Sequence, residues 1–324
     1  MSRIVVAAIP AARRPGPPLR SKNQSRPRLS ADLVTELAAR ATPRDLWLLR
    51  MLAEHQVLTS VQIAQLGFGS PATARHRLIR LWRLRAVDRA QPFAASGSAP
   101  MHYVLGDAGA AVLAARAGTT VTEAGYRRDR ALAAFASSHL AHTVGANGVM
   151  TALVAVARTR PGRALAAWWP ERRCGRQWGA MARPDAYGRW HEDGRADTDF
   201  FLEYDNATEP ADRVAGKLGG YSALAAATGI STPVLFWFPS PAREAAVRPA
   251  LAGHRVPAAT ANPAAGTSPA DTVWLPAGRD GSRLPLAALA IPPPASAAAR
   301  QPAAALPQPE TSLADGPVPP MPPP

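Results

Sequence analysis

Residues 58–89, LTSVQIAQLGFGSPATARHRLIRLWRLRAVDR, decide how the first half of the chain folds. Val61, Ile63, Ala64 and Leu66 set a short apolar helix, and Gly67-Phe68-Gly69 breaks it. Ser70 then offers an N-cap and Pro71 a first helical residue. From Pro71 to Leu84 the period is helical. At about 100° per residue, Leu78, Leu81 and Trp82 share one side, whereas His76, Arg77, Arg80 and Arg83 fall on the opposite arc. One face is built to pack and the other to present cations, with Arg75 joining the cationic set.

Outward from this stretch the pattern continues. Thr42-Pro43 opens an earlier helix with the apolar stripe Leu46, Leu48, Leu49, Leu52 and Ala53. Ala86–Arg89 and His102–Leu105 read as two short strands around a tip that holds Phe93 and Ala95–Pro100. Asp107 caps a last helix, Ala108–Ala117. The order α-α-α-β-β-α over residues 43–120 resembles winged-helix proteins. That resemblance implies a recognition helix in a major groove, with double-stranded DNA as the partner. Arginines there pair with guanine or clamp phosphate. Arg75, His76, Arg77, Arg80 and Arg83 are the DNA-binding candidates. An ordinary solvated helix face, or a protein-interaction module, is the plainer alternative.

The whole chain agrees in sign. Its 324 residues carry 37 Lys+Arg against 23 Asp+Glu, a formal net charge of +14. A polyanionic partner suits that balance, although an Arg-rich composition also follows from a GC-rich genome. A single cysteine, Cys174, excludes an internal disulfide and a cysteine-based zinc cluster. It reads as a bystander rather than a nucleophile. The short apolar stretch Ile4–Ile9 has the wrong order of charge for a secretory signal. No apolar run reaches the roughly 20 residues of a membrane helix, so the expectation is a cytoplasmic protein with no membrane partner. Residues 1–42 read as a basic disordered arm, with a short helix allowed at Asp32–Arg40. Residues 283–324 read as a Pro/Ala-rich disordered tail. Pro257–Ala270 reads as a long loop.

A second domain is expected over residues 127–282. Arg127–Arg158 reads as one long helix holding His139, His142 and Asn147. Strands follow at Leu165–Trp169, near Met181–Tyr187 and at Asp199–Asp205. Then come a helix at Glu209–Ala227, a buried strand at Pro233–Phe238, a helix at Ala242–Ala250 and a last strand near Thr272–Leu275. Trp168, Trp169, Trp178 and Trp237 read as core or rim. The fold class is α/β (α+β), a helix-turn-helix domain followed by an α-β-β-β-α-β domain.

Asp185 follows Arg183-Pro184, and Glu203 lies on the next strand. Glu203 and Asp205 share a face by the period of two. Two like charges there, next to an apolar run, require a cation or a metal. Pairing with Arg183 or Arg213 would satisfy them without any chemistry.

The element order and the two acids resemble restriction-endonuclease-like nucleases. That likeness implies Asp185 and Glu203 as ligands of Mg²⁺, which organises attack of water on phosphate. The superfamily's Glu-x-Lys reads Glu203-Tyr204-Asp205 here, so the catalytic lysine would be Lys217 on the following helix, with Arg213 as a second candidate cation. Taken in order, the segment around Leu58–Arg89, HLAHTVGANGVMTAL (139–153) and RPDA…FFLEYDNATEP…KLGGY (183–221) resemble the replication-relaxation family of actinobacteria. The likeness covers about residues 43–250. It implies a DNA-binding protein of plasmid or mobile-element replication and relaxation, with plasmid replication or mobilisation proteins and a second copy of the chain as candidate partners. The nuclease-like domain is read as degenerate. The first alternative is an Mg²⁺-dependent nicking endonuclease, and the second a winged-helix transcriptional regulator. His139 and His142 read as ordinary helix-face residues.

Overall fold

A computed structural model describes residues 26–93, 97–229, 231–266, 268–278 and 281–290. Most of the expected arm (1–25) and tail (291–324) lies outside the described residues. The chain is a mixed α/β protein whose two compact units divide between Asn147 and Gly148. The sequence pattern instead suggests a division in the segment Gly118–Gly125.

In the first unit, α1 (Ala31–Arg40) occupies part of the expected arm. Ser30 caps it, and Leu33 and Leu37, one turn apart, are buried, where α1 packs on α5. Helix α2 (Pro43–His55) begins at a reciprocal cap between Thr42 and Asp45. After β1 (Leu58–Thr59), Thr59 and Gln62 form the same kind of cap on α3 (Ser60–Gly67). Ser70 caps α4 (Pro71–Arg83), with Pro71 at the start, as the sequence dictates. β2 (Val87–Ala90) and β3 (His102–Leu105) form an antiparallel hairpin, which β1 joins in the order β1-β3-β2. Helix α5 (Asp107–Arg116) then presses its first turn on the entry to β2. A Cβ on Gly109 would stand 2.2 Å from the Ala86 carbonyl oxygen, so only glycine allows this approach.

The expected helix 127–158 is divided. It forms α6 (Arg128–Ala133), a 3-10 turn at Ala134–Ala136, and α7 (Leu140–Thr159). The Ser137 hydroxyl accepts the His139 amide at 3.1 Å, a local bond that competes with helix continuation. The first turns of α7 belong to the first unit. Gln62 donates to the Val144 carbonyl at 2.7 Å. Asn147 donates to the carbonyls of His55 and Val57 at 3.2 and 2.9 Å, on either side of Gln56, whose φ is +65°. Val57, Val104, Phe135 and Val144 close an apolar cluster there. Among the described residues, α7 is also the one helix long and apolar enough to cross a membrane, but 67% of its apolar window is buried inside the protein.

The second unit is built on a six-stranded sheet in the order β4-β5-β6-β7-β8-β9. β4 (Arg163–Pro170), β5 (Ala186–Glu192) and β6 (Thr198–Tyr204) are antiparallel. β7 (Val234–Trp237) and β8 (Ala258–Ala261) run parallel to β6, and β9 (Leu275–Pro276) returns antiparallel. Helix α8 (Glu171–Trp178) follows β4, α9 (Ala211–Thr228) links β6 to β7, and α10 (Pro241–Leu251) links β7 to β8. β5 starts later than its apolar residues suggest, since Pro184 has no amide to give the ladder. β8 lies inside the expected loop 257–270. Its sequence, AATA, is too small-sided to signal a strand, and pairing with β7 makes it one. Trp169, Trp178, Tyr187, Phe201 and Tyr221 stack on the α8/α9 side of the sheet, with centroid spacings of 5.1–6.0 Å.

Asn147→Ala removes two buried bonds to backbone carbonyls. It is expected to lower stability by about 1–3 kcal/mol, read from urea unfolding. An unchanged midpoint would show that the start of α7 does not brace the first unit.

Candidate functional site

Helix α4 carries its cations on two different arcs. Ala74, Leu78, Leu81 and Trp82 are buried, while Arg75, His76, Arg80 and Arg83 are exposed. Among the described residues none of these four has a carboxylate partner. Arg77 differs from the expectation that grouped it with them. It lies on the flank of α4, where its Nε donates to Asp45 Oδ1 at 2.7 Å, its Nη2 also bonds Asp45, and Nη2 reaches the Arg40 carbonyl at 3.2 Å. Asp45 is 1% exposed and is already the cap of α2. Burial raises its pKa, but the Arg77 and Thr42 bonds outweigh that and hold it below the usual carboxylate value. Arg77 therefore ties α4 to α2 and to the end of α1.

The hairpin root lies beside the same outward arc. Arg89 of β2 sits over the Trp82 ring at 4.1 Å, and Arg26 lies 5.1 Å from that ring. Burial pushes the Tyr103 phenol up, against the pull of Arg89 and Arg75 close by. Asp88 is neutralised by Arg26 and Arg128, and Asp107 by Arg85.

In the second unit the structure brings Asp185, Glu203 and Lys217 together. Asp185 continues the β5–β6 ladder, its amide donating to the Leu202 carbonyl at 3.0 Å. Its Oδ2 accepts the Tyr204 amide at 2.7 Å, which fixes the carboxylate at the strand end. Glu203 points to the α9 side and is 3% exposed. Lys217 donates to its Oε2 at 2.8 Å, and the Tyr221 hydroxyl donates to Oε1. Lys217 and Tyr221 are four residues apart, so one helix face delivers both. Helix α9 comes close enough because residue 220 is glycine; a Cβ there would stand 2.3 Å from the Met181 carbonyl oxygen.

Burial, and then the charge of Asp185, push Glu203 up to about 7, with Lys217 opposing. Burial works against the Lys217 ammonium, but Glu203 and Asp185 outweigh it and hold its pKa above normal. Burial, and then Glu203, push the Tyr221 phenol well above its usual value, so it remains a donor. The arrangement is an acid pair closed on an ammonium, with a phenol completing the shell.

Asp205, in the expected lysine slot, serves a different purpose. Arg243 of α10 donates to its Oδ2 at 2.8 and 3.1 Å, and its Oδ1 accepts the Ala207 amide. Ala207 has φ +57°, so this bond shapes the turn leading into α9. Glu203 and Asp205 thus take their cations from Lys217 and Arg243, and not from Arg183 or Arg213, which are both exposed. Glu209 lies 3.6 Å from Lys217. Tyr221, Arg243 and Glu209 were not among the expected site residues; the spacing of Tyr221 from Lys217 was the one available signal. Cys174 is fully buried, and burial pushes its thiol far up, away from nucleophile chemistry.

Mg²⁺ needs several hard oxygen ligands and retains waters of its own. Here both Glu203 oxygens already hold donors. Among the described residues no group of three or more His, Cys, Asp or Glu is placed to hold a metal. Asp185 and Glu203 would supply two such carboxylate ligands, and a metal there would share Glu203 with Lys217 and Tyr221.

The Arg77–Asp45 pair has a pH signature. Because the folded pKa of Asp45 is lowered, its stabilisation is present above its ordinary value of 3.8 and is lost as pH falls through the folded value. Arg77→Ala is expected to cost about 1–3 kcal/mol at pH 7, and less at the lowest pH at which the protein stays folded, in denaturant titrations. An equal cost at both pH values would remove Arg77 from this role.

No characterised protein and no solved structure matches the chain. A family model described as replication-relaxation matches residues 49–239, more than half of the sequence, from inside α2 to just beyond β7. The matched span includes α4 and its cations as well as Asp185, Glu203, Lys217 and Tyr221. The chain belongs to the replication-relaxation family.

Proposed function

We propose that this protein binds double-stranded DNA in the replication or relaxation of a plasmid or mobile element, with its first unit acting as a winged helix. The observation that carries the reading is the division of labour on α4. One arginine, Arg77, is used inside the protein, and Arg75, His76, Arg80 and Arg83 face outward without carboxylate partners among the described residues. An outward row of this kind suits the phosphates and base edges of a major groove. The helix order and the β2–β3 hairpin support the same assignment. The net charge of +14 adds a favourable field for a polyanion.

The strand order and the acid pair of the second unit support the restriction-endonuclease-like reading, while Lys217 and Tyr221 each donate to Glu203. We read the unit as a catalytically silent domain that retains the fold. Metal-dependent nicking through Asp185 and Glu203 is the second reading, favoured by the one feature that places Lys217 beside both acids.

Arg75→Ala and Arg80→Ala should each weaken binding and reduce the slope of log affinity against log salt by about one for each phosphate no longer neutralised. Arg77→Ala should leave the slope unchanged. Equal slopes in wild type, Arg75→Ala and Arg80→Ala would take α4 out of the interface. Incubation with supercoiled plasmid in EDTA, Mg²⁺ or Mn²⁺ separates the two readings of the second unit. The expected result is a gel shift in all three without open circle. Metal-dependent conversion to open circle, abolished in Glu203→Ala, would establish the nicking reading instead.

A further inference from the structure

The connection between β2 and β3 carries, three residues beyond β2, an apolar side chain left in water. Phe93 is 74% exposed, the most exposed large apolar residue among those described. Leaving a phenyl ring in water forfeits the roughly 1.5–3 kcal/mol that its burial would supply. Pro92 precedes it and fixes φ on that side. From Arg89 through Leu105 the sequence has no Asp or Glu. The nearest acid, Asp88, is closed off by Arg26 and Arg128. At the hairpin root, Arg89 bonds the Tyr103 hydroxyl, and Arg75 of α4 lies within electrostatic reach of the same hydroxyl. The apolar tip therefore belongs to an acid-free hairpin whose base adjoins the cationic arc of α4.

We propose that Phe93 is a wedge that inserts at a base step of the duplex held by α4, locally unstacking and unwinding it. The inference rests on the DNA-binding reading above. An apolar side chain presented from a cationic hairpin is the means by which proteins separate stacked bases, and the cost of unstacking is offset by the phosphate contacts made alongside. A protein partner would also cover a phenyl ring, but charge favours a polyanion here: the tip has no carboxylate to repel phosphate, and Arg75 and Arg89 stand behind it.

The test uses the full chain and a nicked plasmid sealed by ligase in the presence of saturating protein. The linking number of the purified product is then read on a gel. Wild type is expected to shift the topoisomer distribution toward unwinding. Phe93→Ala should bind with the same salt slope, since every cation is kept, but about fivefold or more weaker, and should produce no shift when binding is saturated. Phe93→Leu should restore part of the shift. Unchanged thermal unfolding of Phe93→Ala would confirm that the fold is intact. A full shift by Phe93→Ala, or none by wild type that is demonstrably bound, would overturn the wedge while leaving DNA binding in place. Unchanged affinity and linking number in Phe93→Ala would assign the ring to a protein partner. Absence of any plasmid binding by wild type would overturn the DNA-binding reading and the wedge with it.

Discussion

A carboxylate withdrawn from water has to be met by a cation or by hydrogen-bond donors, and both units are assembled around that requirement. In the first, Asp45 takes Arg77, Asp88 takes Arg26 and Arg128, and Asp107 takes Arg85. In the second, Glu203 takes Lys217, Asp205 takes Arg243, and Glu244 takes Arg283 with Thr260 and Asn262 completing its shell. Each pair joins elements distant in sequence, so the ions define which helix lies on which strand. The pairing also gives the excess charge its meaning. With 37 Lys+Arg against 23 Asp+Glu, cations remain after the buried acids are met, and on α4 the remaining ones share one arc.

This requirement also explains how the sequence could be read and where the reading stopped. The helices of the first unit were legible because their signals are local. Thr42-Pro43 and Ser70-Pro71 are caps that operate within one turn, and the apolar stripe of α4 has a helical period. The arc argument alone could not separate Arg77 from Arg80, since both lie away from Leu78. The decision comes from Asp45, 32 residues upstream, which no periodicity reveals. Strand β8 was hidden for a similar reason. Ala258–Ala261 has no β-branched apolar residue, and it becomes a strand through pairing with β7 across α10. The division inside the expected helix 127–158 depends on Ser137, Gln62 and Asn147 acting together.

The acid site was half legible. Alternation on β6 put Glu203 and Asp205 on one face and demanded cations, for which Arg183 and Arg213 were named; Lys217 was named only as the catalytic lysine of the resemblance, and it is the partner of Glu203. The other cation, Arg243, comes from α10 through the turn at Ala207, which only the folded chain brings together. Tyr221 followed from the four-residue spacing on α9, but a phenol is not a residue that charge balance asks for. Its presence is explained by burial: with Glu203 3% exposed, a second donor is needed for the oxygen that Lys217 does not reach.

Electrostatics then bear on where a duplex would be held. Asp185, Glu203 and Glu209 lie around a single ammonium, so the acids outnumber the cation and the cluster offers no net positive charge to a phosphate. A polyanion gains little from such a site unless a metal is bound there. The α4 arc has the opposite balance, with Arg75, Arg80 and Arg83 exposed and no acid from Arg89 to Leu105. On the DNA-binding proposal, the first unit is therefore the natural source of binding energy. In the second unit the buried Glu203, held by Lys217 and Tyr221, ties α9 to β6. Removal of Lys217 would therefore strand a buried charge, with the Tyr221 hydroxyl left as a donor to Glu203.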